Sequence, residues 1–344
     1  MAKRRTTLAE VAGAAGVSVA TVSKVLNERS DVSAETRQRV QKHLRNSSYR
    51  PTGSDAGRRR QSRQIELVFP RAHNAYSIAV LDGITSAARS EGFEVVLGRQ
   101  LRRDGERAGP GLGTESQALL KSGRAGAIFL TMDAASSQLA ELRSAGFPVV
   151  VIDSVRLGSS PCISIGATNF TGGVAATEHL LALGHRRIAH AGGPVSVDCS
   201  RARLAGYTSA LRQSGVNFDE SLVTHCAFDY EAGRRAAGDL LDRDDPPTAI
   251  FAGNDEIALG VMEEARRRSI RIPEDLSVVG FDDTFLATRS APQLTTVAQP
   301  LIEMGRVALR SLAQLINDDL IGTSHIELAT HLVVRDSTAP PRSA

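Results

Sequence analysis

The sequence of 344 residues contains no tryptophan, only three cysteines, and few aromatic residues, which make up 4% of the chain. Cys162, Cys199 and Cys226 are odd in number and far apart, so we expect a reducing compartment and no disulfide framework. No apolar run reaches the ~18 residues that a membrane span requires. The first ten residues, MAKRRTTLAE, have basic residues without an apolar segment behind them. We therefore expect no secretory leader, and a cytoplasmic protein.

Signatures of catalysis and of cofactor binding are also missing. No G-x-S-x-G elbow occurs, and no cysteine is paired with a histidine in a recognised pattern, so no enzyme activity is expected. His179, His185 and His190 lie close together in sequence, but their spacing matches no metal motif. The GPGLG stretch at 109–113 differs from G-x-G-x-x-G, which favours an exposed loop over a phosphate-binding turn. We expect neither a cofactor nor a metal.

The net charge of the chain is small, but its charged residues are unevenly distributed. Residues 1–63 contain 14 Lys or Arg and 5 Asp or Glu, whereas the remaining residues contain 27 and 33. The overall net charge of +3 is therefore the balance of a basic N-terminal segment and an acidic remainder. A segment of this kind is suited to a polyanionic partner such as DNA, although a solvated basic tail has the same composition.

Three short segments near the N-terminus have apolar residues at helical spacing. The three sets are Leu8, Val11, Ala12 and Ala15; then Val22, Val25 and Leu26; then Val40 and Leu44. Gly16 separates the first two segments, and Ser18 and Ser33 are suitable N-caps for the second and third. Two helices joined by a tight glycine-containing turn, with a third packed behind them, are typical of a helix-turn-helix.

The second segment, VATVSKVL, has small side chains where a recognition helix would enter the major groove. Val19 and Ala20 are small enough to meet base edges and thymine methyl groups, and Lys24 can reach guanine acceptors. The stretch TLAEVAGAAGVSVATVSKVLNERSDVSAETRQRV, with SSYRP behind it, resembles the DNA-binding head of the LacI/GalR family of bacterial transcription regulators. The resemblance assigns base contacts to Val19, Ala20 and Lys24, backbone contacts to Thr7, Ser18, Thr21, Ser23 and Asn27, and packing of the head to Tyr49.

The linker that follows, RPTGSDAGRRRQSRQ, departs from the family pattern. In that family a short hinge helix inserts a leucine into the minor groove, but Arg58 stands at the leucine position here. Gly53 and Gly57 each disfavour a helix by roughly 1 kcal/mol relative to alanine. One interpretation is a weakly ordered linker in which Arg58 and its basic neighbours contact the minor groove and phosphates. A flexible basic tether is the other.

From Ile65 onward, apolar β-rich runs alternate with helical patterns. The runs include IELVF, FEVVLG, AGAIFLT, FPVVVID, RIAHAGG, TAIFAG and LSVVGF. This order predicts parallel sheets with helices on both faces, and its length predicts two such sheets. Ligands then bind at the carboxyl ends of the strands, between two lobes.

Polar residues follow several of these predicted strands. They are Asp153, Asn254, Asp255, Asp282 and Asp283. Such side chains can hydrogen-bond a hydroxylated ligand, but Asp255 and Asp283 are equally well explained as helix caps.

Basic and aromatic residues could complete such a site. Arg201 and Arg203 begin a predicted helix and could bind ring oxygens or hydroxyls, and Tyr76 and Phe228 could stack on a sugar.

The second half of the sequence extends the family resemblance. AIFAGNDEIALGVMEEARRRSIRIPEDLSVVGFDD and PQLTTVAQPLIEMG are similar to the effector domain of the same family, which is itself similar to periplasmic sugar-binding proteins. By this resemblance the effector site consists of Tyr76, Asp153, Arg203, Phe228, Asn254, Asp282 and Gln299. The implied organisation is a head at 1–50, a linker at 51–63, an effector domain at 64–338 and a tail at 339–344. Its lobes are about 64–166 plus 298–327, and 167–297 plus 328–338.

The sequence thus predicts an all-α helix-turn-helix head on an α/β body of two doubly wound parallel-sheet lobes. The expected function is a regulator, by preference a repressor, that binds a pseudo-palindromic DNA operator as a homodimer. A small-molecule effector, by preference a mono- or oligosaccharide, would control its operator affinity. A transport-type sugar-binding protein and a sugar-metabolising enzyme are the alternatives. The stretch HLVVRDST at 331–338 is followed by APPRSA, without leucine heptads, so a coiled-coil tetramer is not expected.

Overall fold

The computed structural model describes residues 8–26, 32–46, 62–68, 74–98, 115–131, 137–153, 162–319 and 322–342. The chain forms two compact units, Met1–Gln61 and Ser62–Ala344, which we call the head and the body. The predicted start of the body, residue 64, lies two residues after this division.

The described part of the head contains three helices. These are α1 (Leu8–Ala15), α2 (Val19–Leu26) and α3 (Ala34–Asn46). The predicted apolar stripes supply the core, in which Val11, Ala12, Ala15, Val22, Val25 and Val40 are buried. Gly16 follows α1 with a φ of +64°, a left-handed conformation that glycine adopts without steric cost. Ser18 then caps α2, because its Oγ accepts a hydrogen bond from the Thr21 backbone N–H at 3.1 Å.

The body is built on two six-stranded sheets. The strands are β1 (Gln64–Val68), β2 (Glu94–Gly98), β3 (Gly126–Leu130), β4 (Val149–Ile152), β5 (Ile163–Ala167), β6 (Ile188–Gly192), β7 (Val223–His225), β8 (Ala249–Ala252), β9 (Ser277–Asp282), β10 (Thr295–Ala298), β11 (His325–Leu328) and β12 (His331–Val333). The first sheet has the order β11-β5-β4-β3-β1-β2, and the second has the order β12-β10-β9-β8-β6-β7.

Helices cover both faces of each sheet. They are α4 (Ala75–Glu91), α5 (Glu115–Lys121), α6 (Ser137–Ser144), α7 (Asn169–Ala182), α8 (Asp198–Gln213), α9 (Tyr230–Leu241), α10 (Asp255–Arg267), α11 (Phe285–Arg289) and α12 (Leu301–Ile316). On the first sheet, α4 and α12 pack on one face and α5 and α6 on the other. On the second sheet, α9 and α10 oppose α7 and α8. The predicted doubly wound architecture is confirmed, and we call each sheet with its helices a lobe.

The central strands are continuous apolar runs because both of their faces are covered. Every residue of β3, β4, β8 and β9 is buried, including the aromatic rings of Phe129, Phe251 and Phe281. One strand departs from the parallel order, because β12 pairs antiparallel with β10. The chain leaves β11 at its carboxyl end and enters the second sheet beside the carboxyl end of β10, so β12 must run backwards.

The chain passes between the lobes three times, at residues 167–169, 298–301 and 328–331, which we call the first, second and third crossings. The predicted lobe boundaries, at about residues 166, 297 and 327, lie one residue before the ends of β5, β10 and β11. Ala167 and Leu328 still belong to first-sheet strands, and Ala298 still belongs to a second-sheet strand. The first and third crossings are joined, because the Thr168 N–H donates to the Leu328 oxygen at 3.0 Å and the Thr330 N–H donates to Thr168 Oγ1 at 2.9 Å.

Candidate functional site

Helix α2 presents its predicted base-contacting residues to solvent. Val19, Ala20 and Lys24 are exposed, and 47% of the Val19 surface is accessible although the side chain is apolar. The opposite face, with Val22 and Val25, is buried in the head. The exposed face therefore has the small side chains and the lysine that a major-groove helix requires.

The predicted backbone-contacting residues are only partly within the described structure. Ser18 is exposed and Thr21 is half-buried, and their hydroxyl oxygens are 2.9 Å apart at the start of α2. Ser23 lies in α2, but its side chain is outside the described structure. Thr7, Asn27, Tyr49 and the linker residue Arg58 also lie outside the described residues, so these assignments stay predictions.

In the first lobe, Tyr76 and Asp153 form one side of the candidate effector site. Tyr76 lies in the first turn of α4, and Asp153 directly follows β4. The Tyr76 hydroxyl donates a short hydrogen bond to Asp153 Oδ2. Burial, followed by the neighbouring carboxylate of Asp153, raises the pKa of Tyr76 well above its usual value, which keeps the hydroxyl protonated as a donor. Burial also raises the pKa of Asp153.

In the second lobe, Arg203 is the most highly connected residue of the site. Its side chain is 4% exposed, and its Cζ lies 3.8 Å from the centre of the Phe281 ring, which supports the guanidinium from one side. Its Nη1 donates to the Gly253 carbonyl oxygen at 2.5 Å, and its Nε donates to Asn169 Oδ1 at 2.8 Å. Packing and directed acceptors together fix the plane of the guanidinium.

Asp282 and Gln299 complete the polar cluster beside Arg203. Asp282 Oδ1 lies 3.7 Å from Arg203 Nη2 and accepts a hydrogen bond from Gln299 Nε2 at 2.6 Å. Burial raises the pKa of Asp282 and Arg203 opposes that shift, while the carboxylate of Asp153 lies close enough to contribute. The same proximity appears at Asp153, where the charge of Arg203 offsets part of the rise in pKa that burial causes. Residues of both lobes therefore converge on one region.

The backbone is unusual at two of these acidic residues, of which Asp153 directly follows β4 and Asp282 is the last residue of β9. Asp153 has a φ of +45° and Asp282 a φ of +113°, both in the range that non-glycine residues rarely adopt. Such conformations persist where the surrounding structure imposes them and are concentrated at binding sites. These two conformations lie at the carboxyl ends of one strand in each sheet, beside the polar cluster.

Asn254 and Phe228 have structural contacts in addition to their predicted role. Asn254 is the N-cap of α10, since its Oδ1 accepts from the Ile257 backbone N–H at 2.8 Å. A ligand contact would therefore come from its amide nitrogen. Phe228 is half-buried and packs against Gly193, where a β-carbon would clash with the ring. The assignment of both residues to the effector site stays a prediction.

The neighbouring acidic residues serve the fold. Asp255 is buried, and its Oδ2 accepts from the backbone N–H and the hydroxyl of Thr284, at 2.7 and 2.9 Å. Its Oδ1 accepts from the Thr296 hydroxyl at 2.6 Å. Asp283 forms an ion pair of 2.6 Å with Arg335. The helix-cap interpretation therefore applies to Asn254, whereas Asp255 and Asp283 connect segments of the second lobe.

Three residues near this cluster were not predicted from the sequence. Asn169 accepts a hydrogen bond from Arg203, and its only sequence signal is a polar side chain two residues after the strand ISIGA. Cys199 lies close enough to Arg203, Asp153 and Asp282 for their charges to affect it, although burial dominates and raises its pKa to about 11. Glu256 Oε1 accepts from the Ala75 backbone N–H at 3.3 Å, which links the two lobes directly.

Arg201, the other arginine considered from sequence, lies outside this network. Its side chain is 49% exposed and pairs with Asp198 on the surface of α8.

Of the three histidines considered from the sequence, His185 and His190 are buried in the second lobe and His179 is half-buried. His185 contacts the Thr248 and Ser277 hydroxyls and the Ala339 carbonyl oxygen within 3.1 Å. Residue 339, the first residue of the predicted tail, therefore contacts the second lobe. Across the described residues, no group of three or more His, Cys, Asp or Glu residues is arranged to hold a metal ion. In that same part of the chain, no helix combines the length and apolar character of a membrane span.

The cluster can bind a ligand rich in hydroxyl groups. Carboxylate oxygens of Asp153 and Asp282 are acceptors, and the guanidinium of Arg203 is a donor. Gln299 Oε1 is buried, and no donor among the described residues reaches it. A buried acceptor without a partner is costly in a folded protein, so a hydrogen bond from a ligand would be favourable at this position.

Comparison with known proteins identifies both units. Residues 7–52 match the family model for bacterial regulatory proteins of the lacI family, and residues 177–338 match a periplasmic binding protein-like domain. The HTH-type transcriptional regulator DegA of Bacillus subtilis is 36% identical over 98% of this chain and 99% of its own length.

Two solved structures have the same architecture. One is the complex of the transcriptional regulator CelR with cellobiose, which is 31% identical, covers 97% of this chain and 100% of its own, and superposes with a TM-score of 0.73. The other is the lac repressor dimer bound to operator and the anti-inducer ONPF, which is 28% identical, covers 98% of this chain and 100% of its own, and has a TM-score of 0.68. With a helix-turn-helix head, two parallel-sheet lobes and these relatives, the chain belongs to the LacI family of transcriptional regulators.

Proposed function

We propose that this protein is a repressor that binds a pseudo-palindromic operator as a homodimer and is released by a sugar held between its lobes. One α2 helix would enter the major groove at each half-site. The sugar would bind at the carboxyl ends of the two sheets and change the relative position of the lobes. We further propose that the protein acts in the cytoplasm, where its operator lies, and that it does not transform the sugar.

The observation that carries this proposal is the convergence of Asp153, Arg203, Asp282 and Gln299 from both lobes. A ligand contacting all four would bind one arrangement of the lobes better than another. That differential affinity is the physical requirement for control by a ligand. A coupling free energy of about 1–3 kcal/mol would change operator affinity roughly 5- to 150-fold.

The chemistry of the cluster favours an uncharged sugar over an anionic ligand. Asp153 and Asp282 are two acidic groups for one arginine, and that arginine already donates to Gly253 and Asn169. A phosphate or carboxylate would therefore meet two acidic side chains and only one cationic side chain, whose nearest charged neighbour is already Asp282. The relative CelR, whose structure contains cellobiose, supports a sugar.

A thermal-shift panel tests the ligand class. The full-length protein should be heated with cellobiose, ribose, glucose and glucose 6-phosphate, with adenosine as a control of different shape. A ligand that binds only the folded state raises the melting temperature, so we expect a rise with at least one uncharged sugar. A rise confined to adenosine or glucose 6-phosphate would contradict the proposed ligand class.

Lys24 provides a test of the DNA-binding surface. Replacing Lys24 with alanine should weaken operator binding by roughly 1–3 kcal/mol and relax base preference at one position of each half-site. Selection of binding sites from a random duplex library, compared between the two proteins, measures both effects. Lys42→Ala is a suitable control, because Lys42 is also exposed but lies on α3. Identical base preferences in the Lys24 variant and the unchanged protein would remove Lys24 from the recognition surface.

A further inference from the structure

Asn169 occupies the point where the chain first passes from one lobe to the other. It is buried and begins α7, two residues after the end of β5. Its Nδ2 donates to the Ala167 carbonyl oxygen at 3.0 Å, and its Oδ1 accepts from Arg203 Nε at 2.8 Å. One carboxamide therefore joins the last residue of a first-sheet strand to the central arginine of the second lobe.

The second crossing has an equivalent connection. The Gln299 backbone N–H donates to the Asp282 carbonyl oxygen at 3.3 Å, and its Nε2 donates to Asp282 Oδ1 at 2.6 Å. Each half of the Arg203–Asp282 pair is thus held by a carboxamide that belongs to a crossing. The third crossing is bound to the first through Thr168 and Thr330. A displacement of Arg203 or Asp282 would therefore be transmitted to all three crossings.

The bond from Asn169 is suited to orienting Arg203 without neutralising it. The carboxamide carries no net charge, so the guanidinium keeps its full charge for Asp282 and for a ligand. Phe281 restrains Arg203 from one side and Gly253 accepts from Nη1, but only Asn169 restrains it at Nε among the described contacts.

We propose that Asn169 is a positioning residue that couples ligand contact at Arg203 to the first crossing. The proposal rests on the effector site described under the proposed function. When a ligand draws Arg203 toward itself, the Asn169 carboxamide follows, and its bond to Ala167 carries the shift into the strand that leaves the first lobe. The two ends of the side chain have separate roles. The oxygen orients Arg203, and the nitrogen connects it to the crossing.

Two substitutions separate these roles. Asn169→Asp keeps an oxygen acceptor for Arg203 Nε but removes the N–H donor to Ala167. Asn169→Ala removes both. Asn217→Asp makes the same chemical change on an exposed residue of the second lobe and serves as the matched control.

The first readout needs no ligand. In the full-length protein, the Arg203 Nε–Hε resonance, assigned with Arg203→Lys, should exchange slowly in the unchanged chain and in Asn169→Asp, but not in Asn169→Ala. Hydrogen exchange of backbone amides at residues 167–169 and 328–331 should be faster in both Asn169 variants and unchanged in Asn217→Asp. Slow Arg203 exchange in Asn169→Ala, or unchanged amide exchange in Asn169→Asp, would overturn the proposal.

The second readout is the ratio of operator affinities without and with cellobiose, or with whichever sugar of the panel gives the largest thermal shift. Asn169→Asp should bind that sugar nearly as well as the unchanged protein, but its operator ratio should fall to about one, whereas the unchanged protein gives roughly 5 to 150. Asn169→Ala should lose both the sugar affinity and the effect of the sugar on operator affinity. A purely structural role would lower the melting temperatures of both variants and leave the ratio unchanged, which would also overturn the proposal. If no sugar raises the melting temperature of the unchanged protein, the proposed function fails, and the exchange readout still decides whether Asn169 connects Arg203 to the crossing.

Discussion

Replacing Arg203 with alanine should abolish the response to sugar while leaving operator binding in the absence of sugar unchanged. Arg203 is buried and makes contacts with Asn169, Gly253, Phe281 and Asp282. Its loss leaves Asp282 as a buried acidic group without its cationic partner, and removing one member of a buried charge pair costs about 3–5 kcal/mol. We therefore expect a lower melting temperature that no sugar of the panel raises.

Two further variants make this result specific. Arg203→Lys keeps the charge but cannot reproduce the planar fork, so it should fold better than the alanine variant and still lose most of the sugar affinity. Arg201→Ala removes an exposed arginine two residues away, whose ion pair with Asp198 is on the surface, and it should respond normally. Isothermal titration of each variant with the responding sugar measures the affinities. A full sugar response in both Arg203 variants would show that the effector binds elsewhere.

Replacing Asp255 with alanine should lower the free energy of unfolding by about 2–4 kcal/mol, because three donors on Thr284 and Thr296 lose a charged acceptor in the interior. Asp255→Asn should cost less, since a carboxamide keeps one oxygen acceptor. Urea unfolding of both variants measures the difference, with Asp244→Asn as a control on the exposed surface. Equal stability of Asp255→Ala and the unchanged protein would contradict the structural role of this carboxylate.

The pH dependence of the free energy of unfolding, compared between the unchanged protein and Asp255→Asn, gives an independent check. Burial raises the pKa of Asp255 from 3.8 to about 6. The folded state therefore binds a proton more tightly than the unfolded state, and the stability of the unchanged protein, relative to Asp255→Asn, should fall as the pH rises from about 4 to about 6. A relative stability that rises over this interval would indicate that the hydrogen bonds of Asp255 outweigh its desolvation.

The parts of the fold that depend on local patterns could be predicted from the sequence. Apolar spacing predicted the three head helices, and runs such as AGAIFLT predicted the buried strands. The short strands TTVA and HIEL were not predicted, because their polar residues give no continuous apolar signal and their partners lie far away along the chain. The antiparallel direction of β12 also depends on the route of the third crossing, which no local pattern records.

In the candidate site, too, residues that follow a local pattern could be predicted from the sequence, and residues whose role depends on distant contacts could not. Asp153 and Asp282 could be proposed because they directly follow recognisable strands. The sequence could not distinguish Asn254, which caps α10, from Asp255, which binds threonines on two other segments, because the roles of adjacent polar residues depend on which way each side chain points. Asn169 was missed because its partner, Arg203, is 34 residues away and the two meet only when α7 packs beside α8 on the second sheet.

The most direct test of a sugar-controlled repressor is the affinity of the full-length protein for duplexes from the region upstream of its own gene, measured by fluorescence anisotropy without and with the responding sugar. We expect one duplex to bind specifically and its affinity to fall roughly 5- to 150-fold when the sugar is added. The same titration with Arg203→Lys should show the binding without the fall. Failure to bind any of these duplexes, or an affinity that no sugar changes, would contradict the proposed function.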